Sequence, residues 1–257
     1  MADRDVDWDA YLADFHARRT GVVEDVLSRT LGGDHNPYRW LARAVSVDAK
    51  IVLDLASGSG PVARELAQPG RTVIGLDLSG AELALAARRG SGPLVRADGR
   101  RLPLRDASVD VVTSALGLVV LRPMVEVVAE VARVLRPGGV LAAIAPAVRP
   151  LAPRDLRVLG GLNARLRSKP RFPGPVELTG FTRTLRTYGL RAVEDARERY
   201  RFPVRDRADA ELVLSALYLP NTPPWRVMRA VNHLVETIER QGPVEIAIPM
   251  RRLVAIK

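Results

Sequence analysis

The run Asp54-Leu55-Ala56-Ser57-Gly58-Ser59-Gly60 carries the clearest chemical signal in the chain. Small side chains there let backbone N–H groups come close to a ligand, and the helix that should follow offers unpaired N-terminal N–H groups and the positive end of its dipole. Two more acids repeat the theme: Asp77 closes the next apolar run, and Asp98-Gly99 follows the one after. A carboxylate at such a strand end can accept two hydrogen bonds at once. Gly58, Gly60 and Ala63 also satisfy the GxGxxG/A spacing of a dinucleotide-binding turn, with Asp77 placed to hold a ribose, so a nicotinamide reading competes. Asp54 argues against it. A nicotinamide site has no use for a carboxylate before the glycines, whereas a cationic or amine-bearing ligand has.

Alternating strands and helices must position these residues. Residues 51–55 read as a buried strand, and 61–67 as a helix with proline in its tolerated first turn. A second strand at 72–77, a helix capped by Ser79, and strands at 94–97 and 109–114 follow. The helix at 124–135 places Val125, Val128, Val131, Ala132 and Leu135 on one stripe with Glu130 on its outer side, and Arg136-Pro137-Gly138-Gly139 reads as a stop before a fifth strand at 140–144. Upstream, 8–27 reads as two short amphipathic helices broken near Gly21, and 38–45 as a third opened by Asn36 and Pro37. Between Pro146 and Pro175 the rhythm lapses. Arg149, Arg154, Arg157, Arg165, Arg167, Lys169 and Arg171 stand there against the single acid Asp155, and the stretch is expected to be an inserted basic lid. A helix at 177–188, a strand at 190–202, helices at 209–219 and 225–239 and a last strand at 244–256 complete the pattern. The expected class is α/β, a doubly wound, mostly parallel sheet of seven strands. Its divisions are N-terminal helices (1–46), a core with the ligand turn (47–146), the lid (147–178) and a C-terminal part completing the sheet and a substrate pocket (179–257).

Composition narrows the partners. The 257 residues include 39 Lys+Arg and 29 Asp+Glu, a formal net charge of +10, and 47% are apolar, enough to bury a sizeable core and exclude disorder as the main state. The longest apolar stretch, Val111 to Leu121, is interrupted by Thr113 and Ser114 and falls short of the roughly 20 residues of a membrane span. Asp3, Arg4, Asp5, Asp7 and Asp9 stand where a secretion signal needs an apolar core, so a cytoplasmic protein is expected. Absence of cysteine removes thiolate nucleophiles, iron–sulfur clusters and cysteine zinc sites; three histidines without metal-ligand spacing give no expected metal. Arginine outnumbers lysine 36 to 3, and with aromatics at 5% the charge reads as a solvated surface rather than a nucleic-acid platform.

In order and spacing, Asp54 to Gly60, Asp77, Asp98-Gly99, the run Leu102 to Val112 and the segment Leu135 to Gly139 resemble the class I S-adenosylmethionine-dependent methyltransferases. The likeness is to their small-molecule branch, which includes the ubiquinone/menaquinone-biosynthesis-type enzymes. It covers about Lys50 to Ala145 and fades over the N-terminal helices and the basic stretch. It implies a Rossmann-like sheet and S-adenosylmethionine as cofactor, with S-adenosylhomocysteine as product. By that resemblance Ala56, Ser57, Gly58 and Gly60 pass beside the methionine portion, Asp54 orients its amino group and Asp77 takes both ribose hydroxyls. Leu78 covers one adenine face, Asp98 accepts the adenine amino group beside Gly99, and Ser114 and Ala115 border the transferring methyl. One departure is Ala56, which stands where the family has its first glycine and costs one methyl of clearance.

Displacement at a sulfonium has a neutral leaving group, so a general base is needed only where the acceptor loses a proton. His16, at the rim of the stripe Trp8, Leu12 and Phe15, is the candidate catalytic base. His35 sits in a loop; His233 lies opposite the stripe Val227, Val231, Leu234 and Ile238 and should face solvent; Tyr11 and Tyr200 are further candidates. The expected function is methyl transfer to an O, N or C atom of a small molecule, anionic where the basic lid meets it. An RNA methyltransferase and a cofactor-binding protein without transferase activity are the alternatives. Nucleic acid is not the expected partner, and no motif speaks to oligomeric state.

Overall fold

The computed structural model describes residues 6–257; Asp3, Arg4 and Asp5 lie outside the described residues. Asp7 caps α1 (Trp8–Arg18) by accepting from the Ala10 N–H, and Gly21, in the left-handed conformation, turns the chain into α2 (Val22–Leu27). Asn36 caps α3 (Pro37–Ala42) in the same way, accepting from the Arg39 N–H. Then come β1 (Ile51–Leu55), α4 (Pro61–Leu66), β2 (Thr72–Asp77), α5 (Gly80–Arg88), β3 (Leu94–Arg96) and β4 (Val109–Ala115). The remainder is α6 (Met124–Val134), β5 (Leu135–Pro146), α7 (Pro153–Leu166), α8 (Phe181–Thr187), β6 (Arg191–Val204), α9 (Arg207–Ser215), α10 (Pro224–Gln241) and β7 (Val244–Ile256).

One seven-stranded sheet results, in the order β3-β2-β1-β4-β5-β7-β6. The first five strands are parallel, and β7 runs antiparallel to both neighbours. Alternation along β1 sorts its residues between two layers. Leu53 and Leu55 join Val127 and Val131 of α6 and Phe181 and Leu185 of α8, whereas Val52 meets Leu41, Val62 and Leu66 on the other face. A parallel sheet needs both faces covered in this way, which is why its strands are apolar throughout. The winding reverses between β1 and β4, and at that reversal the carboxyl ends of the strands open into a crevice.

Some boundaries differ from the sequence pattern for local reasons. β5 starts at Leu135 because Arg136 to Gly139 bulge within the strand; a Cβ on Gly139 would lie 2.8 Å from the Arg136 carbonyl oxygen. Val125 is 50% exposed on the first turn of α6, so the buried stripe runs through Val127, Val128, Val131 and Val134. Gly180, left-handed, divides the helix expected at 177–188 into a short 3-10 turn and α8. α9 ends at Ser215 rather than Leu219, which frees Tyr218 from the helix.

The larger correction concerns the basic stretch. Its arginines masked an apolar stripe of Val158, Leu159, Leu162 and Leu166, and that stripe packs α7 with α9 and α10 against β6 and β7 instead of hinging over the crevice. α7 and α10 approach so closely that a Cβ on Gly161 would lie 2.7 Å from the His233 ring. His233 is therefore half-buried between two helices, not solvent-facing, and burial lowers its pKa. Arg154 pairs with Glu245, and Asp155 with Arg199 of β6. Residues 171–174 reach the crevice wall, where the Arg171 N–H donates to the Tyr218 carbonyl at 3.0 Å and the Gly174 N–H to that of Val119 at 2.8 Å. Among the described residues no helix is long and apolar enough to cross a membrane.

Because Leu166 is fully buried in this packing, Leu166→Ala is expected to lower the unfolding free energy by about 2–5 kcal/mol. Urea denaturation measures it, and a loss near zero would restore the lid.

Candidate functional site

The crevice encloses about 670 Å³ and is walled by the turn after β1, the ends of β2 and β3, the segment after β4, and α1. Asp54, at the end of β1, is 1% exposed. Its Oδ1 accepts from the Thr113 hydroxyl at 2.9 Å, while Oδ2 is withdrawn from water and meets no donor in the protein. Burial pushes its pKa up to about 7, opposed by the Thr113 hydrogen bond and aided by the charge of Asp77. Asp77 accepts the Gly58 N–H through Oδ2 and the Ser79 N–H through Oδ1, both at 2.8 Å. Burial raises its pKa as well, against those two hydrogen bonds.

The turn between β1 and α4 is left-handed at Ala56 (φ 55°), Gly58 (φ 52°) and Gly60 (φ 80°). Gly58 lines the crevice with open space beside it, and a Cβ there would have Glu82 Oε2 at 3.9 Å as its nearest neighbour. Gly60 serves packing instead, since a Cβ would overlap the Ser91 hydroxyl. Ala56 adopts a conformation that costs an L-residue roughly 1–2 kcal/mol. Its methyl is accommodated by Gly117, where a Cβ would stand 2.6 Å from that of Ala56.

The other expected positions divide. Ser57 and Gly99 line the crevice, and Leu78 lines it too with an apolar side chain that is 62% exposed rather than part of the core. Asp98 lines it too, but Arg100 grips its carboxylate through Nε at 2.9 and 3.0 Å and Nη2 at 2.6 Å, which holds its pKa below the usual range. Ser114 does not line the crevice. It is fully buried and donates to the Leu55 carbonyl at 3.0 Å, while Ala115, Leu116 and Gly117 occupy the wall expected of it.

Of the three histidines, all within the described residues, His16 alone lines the crevice. Its Nδ1 lies 3.0 Å from Glu82 Oε1 and its Nε2 3.0 Å from Tyr218 Oη. Glu82 is 4% exposed and also accepts the Gly21 N–H, 3.2 Å from each carboxylate oxygen. Tyr218 packs edge-on against Phe15, with Tyr11 and Phe172 around it, and burial raises its pKa. Sequence reasoning missed both partners of His16. Glu82 stands three residues after Ser79, a spacing that suggests a local helix cap, and Tyr218 falls in what reads as the last turn of a helix. His35 sits elsewhere, between Asp34 and Glu198, beside the wholly buried Tyr200. Tyr11 spends its hydroxyl accepting the Leu219 N–H at 2.8 Å. Among the described residues the cations lining the crevice are Arg96, Arg100 and Arg122 rather than Arg165, Arg167 and Arg171. Among the described residues, no group of three or more His, Asp or Glu could hold a metal ion.

Residues 53–143 match the family described as a methyltransferase domain. The chain is similar to a demethylmenaquinone methyltransferase of Beutenbergia cavernae, 37% identical over 158 residues that make up 59% of this chain and 63% of the relative. It is also similar to one from a Mycobacterium species, 40% identical over 134 residues, 51% of this chain and 56% of the relative. The chain thus spans less than two thirds of the length of these curated relatives. Among solved structures, a candidate methyltransferase of Bacillus halodurans superposes with a TM-score of 0.60 at 18% identity over 86% of this chain and 98% of that one. A (4+2)-cyclase superposes with a TM-score of 0.61 at 16% identity over 96% and 94%. At such identities the fold is what is shared.

The left-handed Ala56 generates a direct test. Ala56→Gly should leave the protein as stable or raise its unfolding free energy by up to about 1 kcal/mol, because relief of the strain outweighs the added chain entropy. Urea denaturation reads the difference; a loss above about 1 kcal/mol would show that the methyl contact with Gly117 matters more than the backbone.

Proposed function

We propose that this chain, which belongs to the class I S-adenosylmethionine-dependent methyltransferases, transfers a methyl group from that cofactor to a small, apolar, hydroxyaromatic acceptor of the quinol type. The observation that carries the reading is Asp54, a carboxylate buried at the crevice wall with one oxygen lacking any donor. A buried acceptor atom without a partner is costly unless a ligand supplies the donor, and an ammonium group supplies both donor and charge.

The other residues fit the same cofactor. Asp77 keeps lone pairs for two ribose hydroxyls while its backbone donors fix its orientation. Exposed Leu78 offers an adenine face its cover, and Gly58 leaves space where the backbone would approach the methionine portion. Asp98 accepts the adenine amino group on lone pairs that Arg100 leaves free. The cofactor, when bound, supplies a sulfonium methyl and leaves as a neutral thioether, so holding the acceptor in line provides much of the acceleration. Leu12, Val23, Leu116, Val120, Leu121 and Tyr218 give the acceptor side an apolar lining that excludes water. That lining suits a ring, and relatives named for demethylmenaquinone support a quinone-type acceptor. The packing of the basic stretch away from the crevice favours a small molecule over RNA. An anionic group on the acceptor would meet Arg96, Arg100 or Arg122.

Calorimetry with S-adenosylhomocysteine, followed by labelled methyl transfer to a short-chain demethylmenaquinol, tests the reading; absence of binding overturns it. Two outcomes are expected. Asp54 has a folded pKa raised above its unfolded value, so the stability it contributes to the free protein is present at acid pH and lost as pH rises through about 7. An ammonium ligand needs the carboxylate, so affinity should rise up to about tenfold per pH unit below pH 7 and level off above. Asp54→Asn should bind more weakly and with a flattened pH dependence. Separately, Asp77→Ala should weaken S-adenosylhomocysteine binding by a few kcal/mol, since hydrogen bonds to a charged group are worth about 1.5–3 kcal/mol each. A folded Asp77→Ala variant with parental affinity would refute the ribose assignment.

A further inference from the structure

We propose that Tyr218, His16 and Glu82 form a proton relay in which Tyr218 takes the hydroxyl proton of the acceptor while handing its own to His16, and Glu82 positions and neutralises the resulting imidazolium. The inference rests on the methyl-transfer reading above and names the group that makes such an acceptor nucleophilic.

Three parts of the chain converge to build it: α1 brings His16, α5 brings Glu82, and the segment after α9 brings Tyr218. The ring nitrogen facing a carboxylate carries the hydrogen, so Nδ1–H donates to Glu82 Oε1 at 3.0 Å. Nε2 is then the lone-pair nitrogen and accepts the Tyr218 O–H across 3.0 Å. The hydroxyl oxygen of Tyr218 retains a lone pair for a donor in the crevice that Tyr218 lines. Burial keeps the phenol protonated at neutral pH, so Tyr218 passes a proton on only as it gains another.

Acidic groups surround His16. Among the described residues Glu82, nearly withdrawn from water, has as donors the His16 ring and the Gly21 N–H, so a proton arriving on His16 would place a countercharge beside it. Asp77 at the end of β2 adds to the negative potential at the ring, and Asp9 of α1 and Glu24 of α2 line the same crevice, as does the neutral Tyr38 of α3. Arg19, just beyond the end of α1, lies over the Phe15 ring. Phe15, Tyr11 and Phe172 fix the Tyr218 ring, and hydrogen bonds from the Arg171 N–H to the Tyr218 carbonyl and from the Leu219 N–H to Tyr11 hold the backbone on both sides.

The step balances. The acceptor O–H bond breaks and its proton joins Tyr218 Oη; the former Tyr218 proton joins His16 Nε2; the electron pair of the broken bond stays on the acceptor, available for attack. At the end one proton has moved from the acceptor to His16.

Two measurements on the full chain test this. The first needs no cofactor: 4-nitro-1-naphthol, coloured as its phenolate, is bound and titrated spectroscopically in the parent and in Tyr218→Phe, His16→Gln and Glu82→Gln. The bound dye should ionise at lower pH in the parent than in each variant, with a phenolate fraction at neutral pH at least several-fold higher. The second is methyl transfer to 1,4-dihydroxynaphthalene, where Tyr218→Phe and His16→Gln should lower kcat about a hundredfold, the low end of general-base contributions, with KM and S-adenosylhomocysteine affinity near parental. Raising the pH should recover part of the rate as solvent takes over the proton. Glu82→Gln keeps an acceptor for Gly21, so it carries the test if His16→Gln does not fold. Equal phenolate fractions in the parent and the folded variants, or a loss confined to KM, would overturn the relay. Failure of the parent to bind S-adenosylhomocysteine would instead overturn the methyl-transfer reading, and the dye titration would still report on the three residues.

Discussion

A carboxylate taken almost wholly out of water has to find donors, and the way Glu82 finds them governs the shape of the crevice. Its partners, the Gly21 N–H and the His16 ring, lie 61 and 66 residues away, so the junction of α1 and α2 is clamped onto the first turn of α5. Undoing that clamp would leave a buried negative charge unpaired, which is far more costly than losing an exposed ion pair. A second set of charges reinforces it. Glu24 of α2 accepts the Ser59 hydroxyl at 2.6 Å and pairs with Arg64 of α4 and with Arg89 just beyond α5. The N-terminal helices thus form a wall of the crevice through buried electrostatics as much as through apolar contact.

The strand ends opposite carry backbone strain. Ala56 after β1 and Leu116 after β4 are both left-handed without being glycines, and they flank the same small space, kept open by the absent side chain of Gly117. Strain of this kind persists where surrounding structure over-determines it, and it concentrates at functional sites. Here it turns the chain sharply enough for Gly58 to donate to Asp77, which fixes the β1 turn against the end of β2 and points two acidic strand ends into one cavity.

Charge is distributed in opposite senses inside and out. The chain is strongly basic overall, yet the innermost ionisable groups of the crevice, Asp54 and Glu82, are acids, with Asp77 close by. The arginines of α7 lie on the side away from the apolar stripe that packs that helix, so net charge describes the solvated exterior while the most buried charges of the crevice are acidic.

How much of this was legible in the sequence depended on whether a signal was local. The strand–helix alternation, the three acids at strand ends, the glycines of the turn and the Asn36 and Ser79 caps are set by side-chain period and by hydrogen bonds within a few residues, so they read directly from neighbouring letters. The departure at Ala56 was legible as a methyl where related turns have glycine, but its left-handed backbone was seen only in the structure. The basic stretch misled for the converse reason: charge is conspicuous in a sequence, and the four apolar residues that decide where α7 packs are spaced at helical intervals beneath it. Tertiary structure alone brought Glu82 and Tyr218 to His16 and buried Ser114 behind the crevice wall. The His16 and Ser114 outcomes were decided by which polar group could reach a partner once the sheet had closed, a long-range competition that no spacing along the chain records, whereas the Arg100 grip on Asp98 spans only two residues and depends on how the chain turns after β3.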